Sequence, residues 1–345
     1  MEPRATPSRK AQHLQINLER DVASKGVTAG FEAYAFVHDA LPETNLSDVD
    51  TSTQFLGKTL KAPLLVSCMT GGTPEATRIN QTLARVAQEF GLAMGLGSGR
   101  ALIESPDSLE SFDVRELAAD VPLLANLGAV QLNKGYGASE CNRLIEMLRA
   151  DALVLHLNPL QEALQPEGDS CFAGLLKKIR KLCKTLKYPV IVKEVGWGID
   201  GATARALFDA GVAAVDVAGA GGTSWSEVER YRIDEAWRAG VAAEFAGWGI
   251  PTAQCVRDVR KVAPKQTIIA SGGIRSGLDA AKAIALGADL AGLAGPFLRA
   301  AAESDGAARH LARELTEVVR IAMFCIGART VAELRNTKRL QSIFE

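Results

Sequence analysis

Thr267–Ile–Ile–Ala–Ser271–Gly–Gly–Ile–Arg275–Ser–Gly–Leu–Asp279–Ala–Ala–Lys–Ala–Ile–Ala–Leu286–Gly–Ala–Asp–Leu290–Ala–Gly–Leu–Ala–Gly295–Pro296 reads as strand, turn, helix, stop and strand. The apolar run Thr267–Ala270 is short enough for a buried parallel strand, and Gly272–Gly273 turn the chain behind it. Ser276 is placed to cap a helix, with Asp279 three residues on and Gly287 just past the far end. A second apolar run, Asp289–Ala294, closes on Gly295. Shifting the chain by 76 residues lays Gly196, Gly201, Gly211 and Gly219 on Gly272, Gly277, Gly287 and Gly295, with Asp200 in the capping position. The βαβ unit therefore has an internal echo.

Working outward, the same alternation runs from Ala62 to about residue 297. Its apolar runs are Pro63–Cys68, Leu92–Leu96, Pro122–Ala125, Ala152–Leu155, Pro189–Val192 and Val212–Val217, then the two already quoted. Helical patterns lie near 76–90, 107–119, 138–149, 172–186, 202–210, 252–262 and 277–286, and more helix closes the chain. Eight strands alternating with helices over roughly 250 residues is the pattern of an α/β protein of the (β/α)8 TIM barrel class. Residues 62–345 form this barrel with its C-terminal helices. Residues 1–61 form an N-terminal segment expected to pack on the barrel and close over a substrate. The stretch 219–249, with Trp225, Trp237 and Trp248, is the longest after any strand; it reads as a lid or as a helical insertion.

Composition narrows the class. Lys plus Arg number 39 against 40 acids, so no global basic surface points to nucleic acid or a membrane. No run reaches the roughly 20 apolar residues of a membrane span. The start, Met1–Glu–Pro–Arg, lacks the apolar core of a signal peptide. The six cysteines are scattered without a Cys-x-x-Cys pair, which disfavours zinc and disulfides and points to the cytoplasm. Cys68 and Cys325 sit in apolar runs and read as packing residues.

Barrel chemistry sits where strands end and helices begin. Gly272, Gly273 and Arg275 after strand seven, with Ala294 and Gly295 after strand eight, suit a phosphate group, because glycine backbone N–H groups and helix N-termini favour anions. His156 and Asn158, two apart at the end of strand four, share one face, with Gln161 and Glu162 following. One or two carboxylates beside phosphate oxygens is the usual Mg2+ arrangement, and Glu162 is better placed than Glu167. Glu167 and Asp169 alternatively just shape the loop. Lys193 ends strand five, where a cation needs an anion; Asp216 of strand six or a bound cofactor would supply it. Arg9, Lys10 and His13 read either as a solvated helix start or as a phosphate clamp.

These residues resemble the type 2, flavin-dependent isopentenyl diphosphate isomerases along nearly the whole chain. The likeness is carried by Arg9–Lys10–x–x–His13, Ala40–Leu–Pro–Glu43, Met69–Thr–Gly–Gly72, Gly97–Ser–Gly–Arg100 and Asn126–Leu–Gly128. It continues through His156–Leu–Asn–x–x–Gln161–Glu162, Gln165–Pro–Glu–Gly–Asp169, Lys193–Glu–Val–Gly196, Gly221–Gly–Thr–Ser–Trp225, Gly247–Trp–Gly–Ile–Pro–Thr252 and Gly272–Gly–Ile–Arg275. The glycine loops recur across flavin barrels, whereas the first motif combined with His-x-Asn-x-x-Gln-Glu is highly specific.

The resemblance implies an FMN barrel that interconverts isopentenyl and dimethylallyl diphosphate, with NAD(P)H as reductant and Mg2+ on the diphosphate. It implies FMN contacts from Met69, Thr70, Gly71, Ser98, Asn126, Lys193, Thr223, Gly273, Arg275, Ala294 and Gly295. It implies diphosphate contacts from Arg9, Lys10, His13, Ser98, Arg100, His156 and Asn158, with Gln161 beside the allylic carbons and Glu162 on the metal. Catalysis would rest on Gln161, His156 and Lys193 around the flavin, in a homo-oligomer of four or eight chains. An FMN-dependent 2-hydroxy-acid oxidase is the nearest rival, but it needs a histidine where Ala218–Thr223 has none. A nucleotide dehydrogenase would need a cysteine within Gly219–Trp225. A flavin-storage barrel would need none of Arg9, Lys10, His13, Gln161 or Glu162.

Overall fold

A computed structural model describes residues 6–104 and 106–343. Eight parallel strands close on themselves: β1 (Leu64–Val66), β2 (Ala93–Gly95), β3 (Leu123–Gly128), β4 (Ala152–His156), β5 (Val190–Lys193), β6 (Ala214–Asp216), β7 (Thr267–Ser271) and β8 (Leu290–Leu293). Closure is made by β8 on β1, with Ala291, Gly292 and Leu293 in register with Leu64, Leu65 and Val66. Each expected run is a strand. The third continues to Gly128, so Asn126 stands inside the ladder opposite Val154 rather than at its end.

The helices behave as their caps dictate. The Thr73 side chain accepts the Ala76 N–H at the start of Pro74–Phe90, and Gly91 ends that helix at φ 61°. Asp200 caps Gly201–Asp209, and Ser276 with Asp279 forms the capping box of Gly277–Ala285. The pattern near 107–119 does not become one helix; 3-10 turns at Pro106–Ser111 and Arg115–Ala118 replace it. Tertiary anchors override propensity there: Phe112 is fully buried, and the buried Arg115 donates to the carbonyls of Ala118, Ala119 and Val121.

The N-terminal end of the barrel is plugged. Strands Thr53–Phe55 and Lys58–Leu60 form an antiparallel hairpin, and Phe55 and Leu60 pack among Leu65, Leu124, Ile191 and Ile269 inside the barrel. Asp151, just before β4, ties the plug to the wall: it pairs with Lys58 at 2.9 Å and Arg115 at 3.0 Å, and accepts the Leu123 N–H at 2.8 Å. Asp151→Asn is therefore expected to lower stability by about 2 kcal/mol, the scale of hydrogen bonds to a charged group. Urea unfolding should show the loss while turnover at the opposite end of the barrel is unchanged; an equal fall in both would contradict this division.

Residues 34–39 pair with the end of the chain. Tyr34–Phe36 pairs antiparallel with Leu340–Ser342, and Arg339 bridges Asp39 at 2.6 Å. The stretch after β6 is helical: Trp225–Arg232 and Ala236–Glu244 stand over the C-terminal mouth. Residues 22–29 cross this stretch, Ser24 donating to the Gly222 carbonyl at 2.9 Å and Lys25 to that of Ala246 at 3.0 Å. Gly221 (φ 110°) admits this crossing, since a Cβ there would lie 2.0 Å from the Ala29 nitrogen. Among the described residues no helix is long and apolar enough to cross a membrane.

Candidate active site

The C-terminal ends of the strands surround a cavity of about 500 Å³. Every residue the sequence singled out for cofactor, substrate or metal lines it, from Arg9, Lys10 and His13 round to Arg275, Ala294 and Gly295. Strands explain this convergence, because side chains at their C-terminal ends share one mouth. The helix Thr6–Glu19 completes the wall: Leu14 is buried, and the His13 ring meets Trp225 edge-on at 5.2 Å.

One part of the cavity is backbone-rich. Gly273 (φ 73°) leaves no room for a Cβ, which would sit 2.7 Å from both Ala29 and Gly221. Beside it Arg275 donates to the Gly221 carbonyl at 3.4 Å, and Arg299, which the sequence reading did not single out, reaches in next to Gly295. Two guanidinium groups among glycine N–H groups make an anion site. Ala294, Met69–Gly71 and Thr223 border the space between this end and the strand ends.

The floor holds the charged strand residues. Lys193 donates to the Glu194 carbonyl at 2.5 Å and lies 3.8 Å from Asp216, its register partner on β6. Asp216 thus meets the expectation made for it. His156 Nδ1 is 2.8 Å from Asn126 Oδ1; with that carbonyl as acceptor, Nδ1 carries the proton and Nε2 keeps its lone pair. Burial, helped by Lys193 and Lys10, drives the His156 pKa down to about 3, so the ring is neutral. Glu194 is held by N–H groups of Val195, Gly196 and Trp197 at 2.6–2.7 Å, and burial still pushes its carboxyl up to about 7.

The fourth strand end and the insertion meet at a residue the sequence reading missed. Glu229 Oε1 accepts from His13 Nε2 at 2.9 Å, Gln161 Nε2 at 3.1 Å and Gln165 Nε2 at 2.7 Å, while Oε2 accepts from Arg232 Nε at 2.8 Å. Burial raises its pKa, but the His13 hydrogen bond and the charges of His13 and Arg232 outweigh that and hold it down to about 2. Its helix, Trp–Ser–Glu–Val–Glu–Arg–Tyr–Arg, reads as solvated, yet Ser226, Glu227, Glu229 and Arg232 are buried. The one available signal was that acids and arginines here alternate within a stretch flanked by glycine-rich sequence at a barrel mouth.

Asn158 precedes the short helix Pro159–Leu164 instead of extending β4, but it still lines the cavity with His156. It donates to Gln161 at 3.1 Å and to Glu162 at 2.9 Å. Glu162 also accepts the Asp169 N–H at 2.6 Å and keeps lone pairs free for a cation. Glu167 and Asp169 take the loop-shaping part, paired with Arg232 at 2.7 Å and Lys134 at 3.2 Å. Among the described residues no three His, Cys, Asp or Glu side chains converge as a metal cage, so a metal here would use Glu162 with ligand oxygens and water. At the rim Lys10 donates to the Ser98 carbonyl at 2.9 Å and Arg9 to Gln165 at 3.4 Å, while Arg100 is paired with Glu104 at 2.6 Å. The six cysteines are free, and burial pushes the Cys68 thiol up to about 12, which leaves it inert.

Known proteins fall into two circles around this structure. Mandelate oxidase superposes with a TM-score of 0.65 at 20% identity, covering 98% of this chain and 99% of that one. Flavocytochrome b2 superposes with a TM-score of 0.68 at 19% identity, covering 95% and 82%. The model of the FMN-dependent dehydrogenase family matches residues 3–105 and 172–341. Much nearer are curated isopentenyl-diphosphate delta-isomerases: that of Nostoc sp. (strain PCC 7120) is 54% identical over 98% of this chain and 97% of its own. That of Rickettsia bellii is 50% identical over 96% of each. The oxidases share the barrel alone, while identity of this depth extends over the N-terminal helix, the strand ends and the insertion together: the chain belongs to the FMN-dependent, type 2 family of isopentenyl-diphosphate delta-isomerases.

Proposed function

We propose that this chain interconverts isopentenyl diphosphate and dimethylallyl diphosphate by a 1,3-allylic proton shift. It would use FMN reduced by NAD(P)H and Mg2+ on the diphosphate, in the cytoplasm and as a homo-oligomer. One observation carries the reading: Glu229, buried behind the wall, ties the cavity residues Gln161 and His13 into a single hydrogen-bonded unit.

The residues present fit FMN. The anion site at Gly273, Arg275, Gly295 and Arg299 suits its phosphate. Ser67 Oγ is buried without a partner on the cavity wall, as is Asn158 Oδ1, and a buried polar atom left unpaired calls for a ligand. When bound, reduced FMN supplies acid–base chemistry at its N5 position. Met69, Thr70, Gly71, Ser98, Asn126, Lys193, Thr223 and Ala294 would complete its surroundings.

A C5 hydrocarbon offers no charge to grip, so binding free energy must come from the diphosphate. Arg9, Lys10, His13, Ser98, Arg100, His156 and Asn158 would hold it, and Glu162 would hold Mg2+ against its oxygens. Gln161, fixed between Asn158 and Glu229, would orient the allylic carbons, with His156 and Lys193 completing the catalytic wall. The helix Thr6–Glu19 and the insertion would exclude water from a carbocation-like state.

Anaerobic incubation with isopentenyl diphosphate, FMN, NADPH and Mg2+ should yield dimethylallyl diphosphate; no product with flavin demonstrably bound overturns the assignment. Glu162→Gln is expected to lower Mg2+-dependent turnover about 10²-fold, the scale of a mispositioned substrate, with FMN still bound. Parallel loss of flavin would remove Glu162 from the metal role.

A further inference from the structure

Lys193, Asp216 and Ser271 form a chain across three neighbouring strands under the cavity. Lys193 and Asp216 stand in register on β5 and β6, 3.8 Å apart, and Ser271 at the end of β7 donates to Asp216 Oδ1 at 2.6 Å. Lys193 and Ser271 reach the cavity; Asp216 lies behind them, its side chain only 4% exposed. Nothing in the proposed reaction uses Asp216. A buried carboxylate without a task is costly, and here it has two partners that both belong to the cavity floor.

We propose that Asp216 is a positioning residue that fixes and partly neutralises the Lys193 ammonium, and so sets how strongly the site favours the reduced, anionic form of its flavin. The Lys193 ammonium has three donors. One is taken by the Glu194 carbonyl and Asp216 draws a second, which leaves one for the cavity. The pair together carries no net charge. Without Asp216, a full positive charge would face the flavin and a reduced, negatively charged ring would bind too well. Ser271 holds the carboxylate in place, and Asp216 does not line the cavity, so it acts on the flavin through Lys193 rather than by contact.

The inference rests on the FMN reading, and its test separates the two. Asp216→Asn keeps the shape and the Ser271 bond while removing the charge. The readout is the affinity of the protein for reduced relative to oxidised FMN, taken from the midpoint potential of the bound flavin. In Asp216→Asn this ratio is expected to rise about tenfold, which for a two-electron couple is a positive shift of about 30 mV. An unchanged potential with FMN bound stoichiometrically overturns the proposal and leaves Asp216 a structural partner. A wild-type protein that binds no FMN overturns the reading beneath it instead. Asp216→Ser gives the same reading if the asparagine variant does not fold, and in a Lys193→Met background either substitution should lose most of its effect. A full effect in that background assigns it to the bare field of Asp216 and also overturns the proposal.

Discussion

Glu229→Gln is expected to lower kcat/KM for the isomerisation about 10²- to 10³-fold while FMN remains bound. The reason lies in donors. Three N–H groups, from His13, Gln161 and Gln165, point at Oε1, and the Arg232 guanidinium points at Oε2. An amide has one oxygen and one NH2, so in either orientation a donor faces a donor. Gln161 then turns away from the substrate, and the N-terminal helix loses the bond that seats His13. Stability should fall as well. Glu229 has a folded pKa of about 2 against an ordinary glutamate value of 4.5. Its contribution, about 3 kcal/mol at 1.36 kcal/mol per unit, is present above pH 4.5 and is lost as the pH falls toward 2. Thermal melts of wild type and variant should therefore draw together as the pH falls from 5 toward 2. Steady-state kinetics that leave kcat/KM within threefold of wild type would deny Glu229 its part in the site.

Why that residue escaped the sequence, while Gln161 did not, is a matter of what strands and helices advertise. A strand's C-terminal end has a fixed place in a barrel, so His156 and Lys193 could be assigned to the mouth from the sequence alone. Asp216 could even be matched to Lys193, because parallel register sets residues at equal depth on adjacent strands. The helix Trp225–Arg232 has no such fixed place. Its buried face is polar, and polarity in a sequence ordinarily means solvent. The packing of Thr6–Glu19 and Pro159–Leu164 against it turns Glu229 inward. The region near 107–119 misleads for the opposite reason: its periodicity is helical, but Arg115 and Phe112 are claimed by the barrel wall and break it into 3-10 turns.

Lys10→Met is expected to raise the KM for isopentenyl diphosphate about 10²-fold and yet leave the unliganded protein as stable as before, or more so. Lys10 is half-buried, and among the described residues no carboxylate bonds it. It donates to the Ser98 carbonyl and lies 5.1 Å from the centre of the Phe112 ring. Burial, then Arg9, drives its pKa from 10.5 to about 8, against the weaker pull of Glu104. The unfolded chain therefore holds that proton more tightly, and keeping the ammonium in the fold costs about 3 kcal/mol below pH 8. The cost disappears as the pH rises from 8 to 10.5, so the free protein gains stability across that window. A diphosphate reverses the sign, because it supplies the anion the ammonium lacks. Inorganic pyrophosphate with Mg2+ should raise the melting temperature of the wild type and do so far less in Lys10→Met. For the wild type kcat/KM should decline above pH 8 as the free enzyme loses the cation, a limb the methionine variant lacks. A variant that melts lower with KM unchanged would make Lys10 part of the scaffold. The expected pair of results makes it a group whose binding role is gained at the expense of the empty fold.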